Sequence, residues 1–222
     1  MQVLEKTILA LLSHLSLPTM ADPAPLVLLM ASDPSLPVLL DQIRACTLCA
    51  DLPLGPNPVI RAARTARILV IGQAPGTRVH ATSIPWNDPS GDRLRNWMKV
   101  DRGTFYDVSR IAIMPMGFCY PGRGRGGDLP PRPECAPTWH QRVLSQLPDI
   151  RLILLIGQYA QRYYLGRQFT GVGDTVKRAA ELPEPYFPLV HPSPRNTYWL
   201  KKNPWFEKSV VPILARKVAN LL

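Results

Sequence analysis

Three stretches of this chain carry residue types that could do chemistry. The first is GQAPG, residues 72–76, which follows the apolar run ARILVI. Gly72 and Gly76 let backbone approach a ligand closely, and exposed amides in such a loop receive an anion or a carbonyl oxygen. A tight strand-to-loop turn is the plainer reading of the same residues. The second is HPSPRN, residues 191–196, where Pro192 and Pro194 bracket Ser193 and stiffen a loop that holds His191. An imidazole there could stabilise a developing oxyanion. The third is the set of four cysteines: Cys46 and Cys49 in a C-x-x-C, with Cys119 and Cys135 ending the segment CYPGRGRGGDLPPRPEC. Four thiolates suit a [4Fe-4S] cluster or zinc equally, and in an exported protein they would form two disulfides. An acid lies between the first two motifs, in IPWNDPSGDRLRNWM. Asp88 and Asp92 are the candidates, and a charge favourable to the N-terminus of a helix beginning after Ser90 accounts for Asp92 better than for Asp88.

These loops need a frame. ARILVIG, RIAIMP (110–115), RLILLIG (151–157) and YFPLVH (186–191) are compact apolar runs and predict four buried strands. Between them lie helical patterns: LPVLLDQIRAC, delivering Cys46; RLRNWM after Ser90; ECAPTWHQRVLSQL after Pro133; and QYAQRYYLG after Gly157. After Asn203, PWFEKSVVPILARKVANLL predicts a terminal helix that kinks or restarts at Pro212. Alternating strands and helices imply a parallel sheet covered on both faces, with ligands bound where loops leave the carboxyl ends of the strands. GQAPG and HPSPRN both stand at such ends.

The chain has 222 residues, of which 46% are hydrophobic, without the uninterrupted run of about 20 apolar residues that a spanning helix needs. A membrane protein is therefore not expected. Lys and Arg number 26 against 16 Asp and Glu, a formal charge of +10 that favours a polyanionic partner. Proline, 25 residues, is about twice as frequent as usual. It punctuates strands and motifs rather than forming tracts, which reads as loops with pre-set φ angles. Residues 1–33 have an apolar stretch but a weak charge pattern for export; they read as a poorly ordered extension or as sequence upstream of the true start. A cytoplasmic location and one domain over 34–222 are the expectations, and the cysteines then become cluster or metal ligands.

GQAPG after the first strand and HPSPRN after the last resemble the two motifs of the uracil-DNA glycosylase superfamily. The cysteine layout resembles the [4Fe-4S] site of its iron-sulfur branch, families 4 and 5, and favours a cluster over zinc. The resemblance covers residues 36–222 and implies a three-layer α/β/α fold around a central four-stranded, mostly parallel sheet. It also implies hydrolysis, by an activated water, of the N-glycosidic bond of uracil or another deaminated base flipped out of DNA. Asp88 matches the acid of family 5, His191 the residue that stabilises the departing base, and Trp86 the aromatic that stacks on it. Gly72, Gln73, Ala74, Ser193 and Asn196 would bind the substrate nucleotide. Arg123, Arg125 and Arg195 would hold DNA, with Pro194, Arg195 and Asn196 as the wedge. Two departures stand out: Gln73 and Thr77 occupy places where family 4 has an acid, and Pro115 stands where family 4 has an Asn that reads the pyrimidine edge. They leave the base identity open and admit two alternatives, an iron-sulfur DNA-binding protein with altered catalysis and a zinc-stabilised interaction module. A monomer acting on DNA with a damaged base is the expected working form.

Overall fold

The protein's structure, a computed structural model, describes residues 34–222, so the expectations for residues 1–33 lie outside the described residues. The four apolar runs become strands β1 (Ile68–Ile71), β2 (Ile111–Ile113), β5 (Leu152–Ile156) and β6 (Tyr186–Leu189). Between β2 and β5, β3 (Arg123–Gly124) and β4 (Gly127–Asp128) form a small antiparallel hairpin. The large sheet has the order β2-β1-β5-β6, and all its pairings are parallel, where the sequence suggested only a mostly parallel sheet. Pro188 lies in β6, opposite Leu155. An edge strand tolerates it because one side of its backbone needs no ladder hydrogen bond.

Strand alternation sends side chains into two cores. On one face Ile68, Val70, Leu154 and Phe187 pack with Leu94 and Trp97 of α3 (Pro89–Met98), Phe105 of α4 (Arg102–Tyr106), Val176 of α7 (Val172–Lys177), Leu200 of α8 (Thr197–Lys202) and Leu214 of α9 (Val211–Ala219). On the other, Leu69, Ile71, Ile153 and Leu155 meet Leu39 and Ile43 of α1 (Leu36–Arg44), Val143 of α5 (Cys135–Leu144) and Ala160 of α6 (Gly157–Leu165). The α2 helix (Thr77–Thr82) is a short turn after the first motif. This is the expected three-layer α/β/α arrangement. A π-type turn over Phe206–Val210 precedes α9, with Pro212 in the first turn of α9. The expected restart at Pro212 follows because a proline ring displaces the carbonyl four residues back and supplies no N–H.

One buried polar pair supports the floor of the cleft described below. His140, 1% exposed, places Nε2 3.1 Å from the Pro115 carbonyl and Nδ1 2.6 Å from the Tyr164 hydroxyl. A carbonyl only accepts, so Nε2 carries the proton and Nδ1 accepts from Tyr164. Burial pushes the His140 pKa down to about 4. The unfolded chain takes up this proton near pH 6.5 and the folded one only near 4, so stability falls as pH drops through that window, by up to about 3 kcal/mol from this group. Urea unfolding midpoints followed from pH 7 to 4 should show that slope, and His140→Gln should lack it.

Candidate active site

The parallel sheet brings the exits of β1, β2 and β6 to one edge. After β1 the chain runs through Gly72–Gly76. The chain after β2 continues alongside it, with Met116 N–H donating to the Gly72 carbonyl (2.9 Å) and Gly117 N–H to the Gln73 carbonyl (3.0 Å). Pro115 is thereby set beside the first motif. After β6 comes His191. These loops, the Trp86–Asp88 segment and the β3–β4 hairpin enclose a cleft of about 370 Å³ that includes Gly72, Gln73, Trp86, Asp88, Asp128 and His191. Ala74, Ser193, Arg195 and Asn196 also border it.

Trp86 is held in a left-handed backbone conformation, φ 56°, which a bulky residue adopts only when its surroundings impose it. Arg95, 6% exposed, donates to the Trp86 carbonyl at 3.2 Å. Any side chain on Gly91 would run into that same carbonyl. Beneath the indole lies Gly72, where a Cβ would stand 2.8 Å from the ring. Asp92 pairs with Arg95 from the solvent side and does not border the cleft, so it supports Trp86 through Arg95. The helix begins earlier than its sequence suggested, at Pro89, which makes Asp88 its N-cap: Asp88 Oδ1 accepts from Gly91 N–H at 2.8 Å. Asp92 lies in the first turn, as the helix-terminal charge foreseen for it, and the cap itself is Asp88, because Pro89 suits the first helical position and Asp88 immediately precedes it. Asp88 still faces the cleft.

His191 has a defined tautomer. The N–H of Ser193 donates to Nδ1 at 3.2 Å, so the neutral ring carries its proton on Nε2. Burial lowers its pKa and keeps the ring neutral, against the opposing pull of the Asp88 charge. The Trp86 and His191 rings lie 5.7 Å apart. Asn196 Nδ2 donates to the His191 carbonyl at 2.8 Å, and Ser193 Oγ accepts from Arg195 N–H, so both side chains brace the loop. Arg195 turns its guanidinium to the Gly126 carbonyl, 2.7 Å away, tying this loop to the hairpin. Gln73 Nε2 donates to the Leu129 carbonyl at 3.0 Å and ties the first motif to the same hairpin. Arg123, Arg125 and Pro194 are exposed and do not border the cleft.

Sequence reasoning missed Asp128. It ends β4 and enters the cleft beside Gly76. The segment drew notice for its cysteines and arginines, and nothing in its spacing shows that the hairpin folds back over GQAPG.

The four cysteines are free thiols that border one small pocket, together with Trp139 and Arg132. Among the described residues no three His, Cys, Asp or Glu side chains are gathered as a metal-holding group. The surroundings nevertheless fit an anionic sulfur centre. Phe118 N–H donates to Cys135 Sγ at 3.3 Å, and Asn57 N–H faces Cys119. Trp139 Nε1 is a buried donor without a hydrogen-bond partner, and Arg132, paired with Asp51 through Nη2, keeps its buried Nε free of a hydrogen bond, 4.0 Å from a Glu134 carboxylate oxygen. Burial pushes the Cys119 thiol up to about 11 and Cys135 to about 12, so neither becomes a thiolate at neutral pH without a bound cation.

The fold is α/β with a cleft at the carboxyl edge of a parallel sheet, the usual place for ligands in such sheets, lined by a neutral histidine, an aromatic ring and two carboxylates. The model of the Uracil DNA glycosylase superfamily matches residues 60–215, and the chain belongs to that superfamily. Membership supports a DNA glycosylase, an enzyme of DNA repair. Among the described residues no helix is long and apolar enough to cross a membrane.

The Gly72–Trp86 contact carries a test. Gly72→Ala should lower the thermal midpoint by about 2–12 °C, since overpacking of this kind costs about 1–3 kcal/mol. Gly76→Ala, where the nearest atom would lie at 3.4 Å, should leave it close to the parent value in the same melting experiment.

Proposed function

We propose that this protein is a monofunctional DNA glycosylase of the iron-sulfur branch, which hydrolyses the N-glycosidic bond of uracil or another deaminated base extruded from DNA. The observation that carries this reading is the meeting, in one cleft, of Trp86, Asp88 and a His191 whose neutral tautomer leaves Nε2–H as a donor. The target nucleotide must leave the stack, because its glycosidic bond is inaccessible within it. Trp86 stacks on the extruded base, and amides of Gly72, Gln73 and Ala74 hold a carbonyl. As the bond lengthens, negative charge grows on the base and positive charge on the sugar. His191 donates to the base oxygen that gains charge, and Asp88 orients water and offsets the sugar's charge. No lysine borders the cleft among the described residues, which favours water over a protein amine as the nucleophile. Exposed Arg123 and Arg125 meet DNA phosphates and exposed Pro194 enters the vacated stack, while Arg195 keeps the second motif tied to the Gly126 carbonyl.

Cys46, Cys49, Cys119 and Cys135 would hold a [4Fe-4S] cluster, with zinc as the alternative. When bound, it supplies a cross-link that pins both ends of the 119–135 loop, whose middle borders the cleft. Anaerobically purified protein should absorb broadly at about 400 nm, and a Cys119→Ser variant should lose that band; a colourless protein containing zinc would reverse the assignment.

The deciding experiment is base release from single- and double-stranded oligonucleotides carrying uracil, hypoxanthine or xanthine. Release of at least one of them is expected; DNA binding without any release would favour the altered-catalysis reading, for which Pro115 on the cleft wall speaks. His191→Ala should reduce the single-turnover rate about 100- to 1,000-fold. Asp88→Asn, which keeps a cap acceptor, should reduce it about 100-fold with DNA affinity retained, whereas Asp92→Ala should act chiefly on stability.

A further inference from the structure

Two carboxylates border the cleft among the described residues, Asp88 and Asp128. They are not equivalent. Asp88 spends Oδ1 on the Gly91 N–H. Asp128 accepts no hydrogen bond among the described residues, and its Oδ2 lies 3.4 Å from the place a Cβ on Gly76 would occupy. The GQAPG loop has no acid of its own, and the Gln73 amide that points out of it holds the Leu129 carbonyl, one residue beyond Asp128. Arg195, gripping the Gly126 carbonyl, holds the other side of the hairpin. The hairpin therefore delivers an unengaged carboxylate over the first motif from two anchored sides.

We propose that Asp128 is a second catalytic carboxylate, the group that takes the proton of the attacking water. This rests on the glycosylase reading above. In the step, the water oxygen bonds to C1′ as the C1′–N bond breaks, and its electron pair leaves with the base. One water proton passes to the Asp128 carboxylate, and the released base regains a proton through solvent. Free lone pairs suit Asp128 to this task, while the capped Asp88 is suited to facing positive charge. The charges around Asp128 are Arg195 on the second motif, Arg123 across the hairpin, Asp88 across the cleft and the neutral His191. Asp128 is exposed at the cleft rim and partly desolvated there, which raises its pKa; Asp88 adds to that, with the two arginines opposing. A raised pKa makes a stronger base near neutrality.

The test uses the full chain with whichever oligonucleotide releases base. Single-turnover rates of the parent should fall on the acid side with an apparent pKa above the usual Asp value of about 3.9. Asp128→Asn should lower the rate about 100-fold and remove that acid limb, Asp128→Glu should restore part of the rate, and Asp88→Asn should lower the rate but keep the limb. Affinity for an oligonucleotide with a tetrahydrofuran abasic analogue should change less than about threefold in Asp128→Asn. An Asp128→Asn rate within about threefold of the parent, a retained acid limb, or a loss matched by weaker binding would overturn the assignment and leave the glycosylase reading intact. No release from any oligonucleotide by the parent would remove both.

Discussion

Burial of a four-stranded parallel sheet on both faces is the constraint on which the rest of this structure depends. Ile68, Val70, Leu69 and Ile71 are all fully buried, two toward each core, so β1 cannot expose either face to solvent. Parallel strands direct all their carboxyl ends to one edge, and there the chain leaves the sheet through loops. The first motif, the chain around Pro115 and the second motif are those loops. A cleft at that edge follows from the sheet, and only its chemistry is left to the loop residues.

Around that edge, the molecule concentrates unfavourable local geometry and compensates for it with buried polar contacts. Trp86 has a backbone conformation it would not choose alone. Its carbonyl is held by Arg95, which in turn stacks over Phe105 at 5.2 Å and pairs with Asp92. Removing any of these partners would leave a charge or a carbonyl without its complement in a poorly solvated place, which is costlier than the contact's net worth. The indole is consequently a rigid wall. His191 is treated similarly: a backbone N–H occupies Nδ1, and the Asn196 amide occupies its carbonyl. Rigid placement of donors is what electrostatic stabilisation of a developing charge demands, because nothing has to reorganise as the charge appears.

The long loop from Cys119 to Cys135 joins two centres. Its ends border the cysteine pocket, and its middle, Gly126 to Asp128, borders the cleft. A segment of this length with so little regular structure has a substantial ordering entropy. Prolines reduce it by restricting the unfolded chain, and Arg195 and Gln73 anchor the tip. The proline surplus thus belongs largely to loops that must hold a shape without a ladder of backbone hydrogen bonds.

From sequence alone, the strands were legible because a strand buried on both faces must be a short continuous apolar run, and GQAPG and HPSPRN stood out because loops that meet ligands use residues with special backbone properties. The restart at Pro212 was legible for the same local reason. What required the tertiary structure were contacts between segments far apart in the chain. Asp88 became the N-cap because the helix began at Pro89 rather than after Ser90. The expectation that Arg195 would face DNA met a guanidinium turned to Gly126, 69 positions away. Asp128 could not be recognised beside the first motif, since a two-residue hairpin can lie over either side of its loop. Local patterning follows from hydrophobic period and backbone stereochemistry, which act over a few residues; the company a side chain keeps in a cleft is decided by packing of whole layers.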